Sequence, residues 1–281
     1  MPELPELEVT RDRLWLALAG RVVTGVVVRS PVALKTVAPP LDALAGKQVR
    51  TVSRQGKVMV IGFDDSLFLC IHLMLSGRFA FASTHAPVNR LHALVLHLDR
   101  DEDLRVIEDT THHRLSVYVV SDPQQVDAVA RLGPDPLGSE FTLACLRSAL
   151  VRRNRTLKRF LTDQSAIAGI GNCFSDEILF ESRLSPFALS TAIKPEETIR
   201  LYTATRKVLQ DAILQLRALN RLPERKDRTF LRVHGRFGLP CPVCSTPVKR
   251  VSYQESTLYY CPTCQTGGRE LADRRLSRLL K

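Results

Sequence analysis

The chain has 281 residues, 44% hydrophobic and 25% charged, which allows one or two domains with a real core and excludes a disordered, collagenous or disulfide-scaffold protein. Up to residue 150 there are 16 basic and 17 acidic residues, net −1; beyond it there are 24 and 12, net +12. A field so lopsided points to a polyanionic partner, and since no stretch reads as a basic amphipathic membrane helix, nucleic acid is expected rather than a membrane.

No apolar run reaches the roughly 18 residues of a membrane span, and acids stand where a signal peptide would carry positive charge. A soluble, cytoplasmic protein is expected. Cys70, Cys145 and Cys173 are scattered through apolar segments, whereas Cys241, Cys244, Cys261 and Cys264 form two tight pairs. A metal site in a reducing compartment explains this better than disulfides do.

In chain order, Glu6 to Ala19 places Leu7, Leu14 and Leu18 on one helical face, with Gly20 as a C-cap. From Val22 to Val120 the pattern turns to short β-rich runs at 22–29, 48–54, 57–63, 66–73, 78–83, 91–98, 103–108 and 114–120. Most are separated by turn residues, so an antiparallel sandwich is expected. The linker GPDPLGS at 133–139 leads into helices at Phe141–Val151, Leu157–Thr162, Asn172–Ser182 and Glu196–Ala218, the last opening after Pro195. A basic, irregular stretch then runs into the paired cysteines.

The strongest motif is CPVC at 241–244 followed by CPTC at 261–264, a C-x2-C-x16-C-x2-C spacing. Four thiolates so arranged match a closed structural zinc site, one ion per chain, which by itself implies no catalysis. The loop AGIGN at 168–172 opens a helix whose first N–H groups suit a phosphate. Alone it would read as a glycine-rich connection; the basic flank RRNRTLKR at 152–159 tips it toward phosphate binding. At the N-terminus, MPELPELE offers Pro2 as a secondary amine if Met1 is removed, with an amine pKa near roughly 8 against about 10.4 for lysine. Glu3 beside it can carry a proton. Lys57 on its own reads as a solvated strand-edge lysine.

MPELPELE, Lys57 in RQGKVMV, HLMLSGRF at 72–79, LTDQSAIAGIGNCFSDEILF at 161–180 and the terminal CPVC…YYCPTCQ together resemble the formamidopyrimidine-DNA glycosylase/endonuclease VIII family, from one end of the chain to the other. The resemblance implies an α+β, multidomain fold: an N-terminal antiparallel β-sandwich with a leading helix (1–132), a helix-two-turns-helix domain (137–222) and a C-terminal zinc-finger β-hairpin (230–281). It implies a bifunctional enzyme that flips an oxidised or ring-opened base out of double-stranded DNA, excises it and nicks the strand. Pro2 would attack the sugar C1′ and form a Schiff base, Glu3 would exchange protons with the opening sugar, and Lys57 would donate a proton near the break. Asn172 and Lys158 would hold phosphates. A nucleoid-associated monomer is expected.

Three departures from the family pattern bear on the reading. The Met place of the wedge that fills the vacated base position falls on Leu75, and the Arg-Arg-Phe segment is replaced by TTHHRLS at 110–116, so the wedge is expected from Leu75, His113 or Arg114, and Leu115. His92 resembles a DNA-contacting histidine, although a merely hydrogen-bonded strand histidine fits as well. Ser256 stands where the family has an arginine, five residues before the third cysteine, which bears on the second strand-cleavage step. Two rivals remain: a DNA-damage-binding protein of the same fold with weakened catalysis, and a zinc-ribbon RNA-binding factor. The second leaves Pro2, Glu3 and Lys57 unexplained.

Overall fold

The computed structural model describes residues 1–109, 114–252 and 257–271. By its contacts the chain divides into two compact units, one of Met1–Leu132 with Leu216–Arg225, the other of Gly133–Gln215 with the residues from Lys226 on. The break at 132/133 falls at the start of the Gly-Pro linker. The helical segment and the zinc hairpin share the second unit.

In the first unit, helix α1 (Leu4–Leu18) buries Leu7, Leu14 and Leu18, the face expected from their spacing. Each such leucine contributes on the order of 1.5–3 kcal/mol. Strands β1 (Val23–Val28), β2 (Val49–Gln55), β3 (Val58–Phe63), β4 (Phe68–His72), β5 (Gly77–Ser83), β6 (His92–Leu98), β7 (Glu102–Glu108) and β8 (Ser116–Val120) follow. They form two four-stranded antiparallel sheets, ordered β1-β6-β7-β5 and β2-β3-β4-β8. One core cluster draws side chains from both sheets and from α1, as a sandwich requires.

Strand β3, VMVIGF, is buried along its whole length. The two-residue alternation sends Met59 and Ile61 into the sandwich core and Val58 and Val60 into a second cluster, where Val126 and Val129 cover them. Val129 lies in the short helix α2 (Asp127–Ala130). Four residues are too few for a helical period, so α2 left no trace in the sequence pattern.

The second unit holds α3 (Leu143–Arg152), α4 (Leu157–Thr162), α5 (Asn172–Glu181) and most of α6 (Pro195–Ala218). Thr142 and Thr156 cap α3 and α4, their hydroxyls accepting from Cys145 N and Arg159 N. The zinc region is a two-stranded antiparallel hairpin, β9 (Lys249–Ser252) and β10 (Thr257–Tyr260), followed by α7 (Pro262–Thr266), which Gly267 ends in a left-handed conformation. Like α2, α7 is too short to have been read from periodicity.

Candidate active site and nucleic-acid interface

Three expected catalytic residues lie in the first unit. Pro2 is half-buried and directly precedes Glu3, the N-cap of α1. Glu3 is only 3% exposed: its N–H donates to the Glu6 carboxylate at 3.0 Å while its own carboxylate receives the Glu6 N–H, a reciprocal capping box. The first turn thus ties the chain terminus to a rigid helix, which fixes a group at residue 2 far better than a frayed end would.

Lys57 sits with Gly56 in the two-residue turn between β2 and β3. Gly56 has φ +57, and a Cβ there would come within 2.7 Å of the Leu132 side chain, so the turn favours glycine. Arg54 Nε bonds Glu8 of α1 at 2.9 Å and its Nη1 bonds the Gly56 carbonyl at 2.9 Å, bracing this turn against α1. Lys57 is buried, which overturns the solvated-lysine alternative.

His72, which sequence reasoning passed over, is Lys57's electrostatic neighbour. Its strand position pairs with Val58, the residue after Lys57. Burial first, and then the Lys57 charge, push the imidazole down to about 4, so the ring is neutral near pH 7. Met74 N–H donates to Nδ1 at 3.1 Å, which leaves the ring proton on Nε2. The only signal in the sequence was the histidine opening HLMLSGRF, and nothing but strand pairing shows that it adjoins Lys57.

The expected DNA-contacting residues part company. Leu75, in the turn after β4, is 56% exposed and Arg114 is exposed, both free to reach a duplex. Leu115 is 0% exposed and belongs to the sandwich core, so it is not a wedge residue. It directly precedes β8 and shares the core with Val117 and Val119 of that strand, and the buried Glu108 holds the backbone N–H groups of Arg114 and Leu115 at 2.7 and 3.1 Å. His113 and Ser256 lie outside the described residues. His92 is 7% exposed with Nδ1 on Asn89, which favours the hydrogen-bonded strand histidine over a group presented to DNA.

In the second unit, the AGIGN loop is closed by Gln164, whose Oε1 accepts Gly169 N–H at 2.8 Å and whose Nε2 donates to Ile170 O at 2.7 Å. Gly169 has φ +85. Asn172 opens α5 and donates from Nδ2 to Thr257 O of β10 at 2.8 Å. Lys158 is largely buried, with Nζ on Asp176 at 2.5 Å, Ser175 at 2.8 Å and Asn172 O at 2.6 Å. Its expected role as a phosphate clamp gives way to that of an internal strut. Arg155 is likewise paired, with Asp163, and within 152–159 the exposed cations are Arg152, Arg153 and Arg159.

The zinc ligands converge. The four Sγ atoms of Cys241, Cys244, Cys261 and Cys264 lie within 4.8 Å of one another, with separations of 3.4 Å for Cys244–Cys261, 3.5 Å for Cys244–Cys264 and 3.9 Å for Cys241–Cys264. A tetrahedral ion at about 2.3 Å from each thiolate needs sulfurs roughly 3.8 Å apart. The donor set therefore fits a structural zinc, with every position filled by protein.

Three family models match in chain order: the formamidopyrimidine-DNA glycosylase N-terminal domain over residues 1–113, its H2TH domain over 132–219, and the zinc finger found in FPG and IleRS over 238–267. The formamidopyrimidine-DNA glycosylase of Pelotomaculum thermopropionicum is 32% identical over 280 residues, covering 94% of this chain and 99% of that one. The chain belongs to the formamidopyrimidine-DNA glycosylase family. That of Thermus thermophilus is 35% identical over 276 residues, covering 95% and 100%. A crystal structure of the Thermus protein superposes with a TM-score of 0.83 at 32% identity over 96% of this chain and 100% of that one. A Lactococcus lactis variant solved with Fapy-dG-containing DNA gives 0.85 at 25% identity over 94% and 100%. The protein is accordingly a DNA repair glycosylase with a structural zinc finger. Among the described residues, no helix is long and apolar enough to cross a membrane.

Proposed function

We propose that this glycosylase is bifunctional: it excises oxidised or ring-opened bases from duplex DNA and then opens the strand through a Schiff base on Pro2. The observation that carries the reading is the placing of half-buried Pro2 directly before the capped, buried Glu3 at the start of α1. Once Met1 is removed, the secondary amine of Pro2 attacks C1′ of the damaged nucleoside and the C1′–N bond to the base breaks. Glu3 takes the proton released from the Pro2 amine and passes it to the ring oxygen as the sugar opens, leaving an iminium on Pro2, while the departing base takes its proton from water. Loss of a C2′ proton then expels the 3′ phosphate, a β-elimination. Lys57, buried and braced beside neutral His72, supplies positive charge near the strand break. The Fapy-dG bound by the Lactococcus relative supports a ring-opened purine as substrate.

The three segments 1–132, 137–222 and 230–281 then act as catalytic, DNA-gripping and zinc-finger modules of a monomer working on the nucleoid in the cytoplasm. Asn172 holds phosphate beside the flipped nucleotide, with Leu75 and Arg114 occupying the vacated base position.

Borohydride trapping on duplexes carrying an abasic site or a formamidopyrimidine tests the reading. Wild type should form a covalent adduct, lost when an extra N-terminal residue converts the Pro2 amine to an amide, and Glu3→Gln should slow excision by roughly 10²- to 10⁴-fold with binding retained. Tight binding without any adduct would favour the damage-binding reading, which the altered wedge segment keeps in play. The same gels read the 3′ ends. With Ser256 in place of an arginine fork on the departing phosphate, single β-elimination should dominate, and Ser256→Arg should raise the β,δ product.

A further inference from the structure

Asp176, one turn after Asn172 on α5, is fully buried and its carboxylate is shared by three elements. Oδ1 accepts Lys158 Nζ of α4 at 2.5 Å; Oδ2 accepts His234 Nδ1, from the segment leading to the first zinc knuckle, at 2.7 Å, and Tyr259 N–H of β10 at 3.1 Å. A carboxylate only accepts, so Nδ1 of His234 bears the proton. The His234 ring is held edge-on to Tyr259, with centroids 5.0 Å apart.

Among the described residues, β10 pairs with a strand on one side alone, and α5 takes the other edge. Asn172 Nδ2 donates to Thr257 O, and Asp176 accepts from Tyr259 N. Residues 257 and 259 face the same edge of a strand, about 6.6 Å apart, while residues 172 and 176 lie one turn apart on a helix, about 6 Å. The helix thus reads two successive outward positions of the strand, and a slip of one residue would break both bonds at once. Lys158 closes the circuit by donating to Asn172 O as well as to Asp176.

We infer that Asp176 and His234 are positioning residues, which lock β10 and Asn172 into one register so that the helix start and the zinc hairpin meet DNA phosphates as a single surface. This rests on the reading of Asn172 as a phosphate-holding residue. His234 completes the lock from a third segment: its N–H and ring fix Asp176 Oδ2 toward Tyr259.

The test is affinity for a duplex carrying a tetrahydrofuran abasic-site analogue, with zinc content measured in each variant. His234→Phe keeps a ring and loses the donor; it should weaken binding about tenfold, as expected for one hydrogen bond to a charged group, with one zinc per chain retained. His234→Asn sets an amide N–H near the Nδ1 position and should restore most of the affinity. Asn172→Ala should weaken binding comparably, and the double variant His234→Phe/Asn172→Ala should be little worse than either single one, because both disable the same contact. Additive losses, wild-type affinity in His234→Phe, or no rescue by His234→Asn would overturn the inference while leaving Asn172 its role. Wild-type affinity in Asn172→Ala would overturn the phosphate reading itself, and the inference with it. If His234→Phe loses zinc or fold, Asp176→Asn, which keeps shape and one acceptor oxygen, carries the same comparison.

Discussion

The two units hold their functional residues by different balances of apolar packing and buried charge. In the sandwich, Leu75, Lys57 and the Pro2–Glu3 start sit on turns and a helix end above an apolar core, and that core is drawn from both sheets and α1. In the second unit, Asn172 and the zinc hairpin are tied by buried charge: Asp176 to Lys158 and His234, and Glu177, 4% exposed, accepting the N–H groups of Arg232, Val233 and His234 at 2.8–3.0 Å. Burial raises the Glu177 carboxyl and these three N–H groups pull it back. An apolar core tolerates volume-conserving change, whereas a buried polar network fails when one partner goes. The apolar core positions of the sandwich should therefore be repairable, whereas the Asp176 and Glu177 networks of the second unit should be specific and brittle.

Zinc removal should separate the units most sharply. Structural thiolate zinc contributes on the order of 10–16 kcal/mol to local folding in small fingers. Cys261→Ser, or chelation, should therefore abolish DNA binding and expose the 230–271 region to protease, while the sandwich keeps its β-type circular dichroism. Retained DNA binding by zinc-free protein would show that the hairpin stands without its ion.

Next in size is a contrast within the sandwich. Leu115→Ala should cost about 2–5 kcal/mol of stability, because it opens a cavity in the core. Leu75→Ala, at a 56% exposed turn, should leave denaturant midpoints unchanged and slow lesion processing instead. Equal midpoints for both would return Leu115 to the wedge.

The smallest effect is a pH dependence carried by His72. Its folded pKa is depressed, to about 4, so between roughly 6.5 and 4 the unfolded chain takes up a proton that the folded one refuses. This contribution is fully present above about 6.5 and drains away as pH falls through that window. His72→Asn should flatten the fall in stability between pH 7 and pH 5 relative to wild type. Parallel profiles for the two proteins would remove His72 from the account.

Much of this was open to reading in one dimension. Element boundaries followed from local rules: the Leu7, Leu14 and Leu18 period, two-residue alternation in the strands, Pro195 at a helix start, and the Cys-Pro-x-Cys knuckles, whose ligand set is a property of spacing. What tertiary structure decided is which side chains are spent inward. Leu115 and Lys158 carry the right chemistry for DNA contact, yet one points into the core and the other into an ion pair with Asp176. His72 became Lys57's neighbour through strand pairing, and Asp176 with His234 became partners across 58 positions of chain. Local sequence sets backbone conformation and period, but the direction and partner of a polar side chain depend on desolvation by residues far away in the chain, and that cost is fixed only when the fold closes around it.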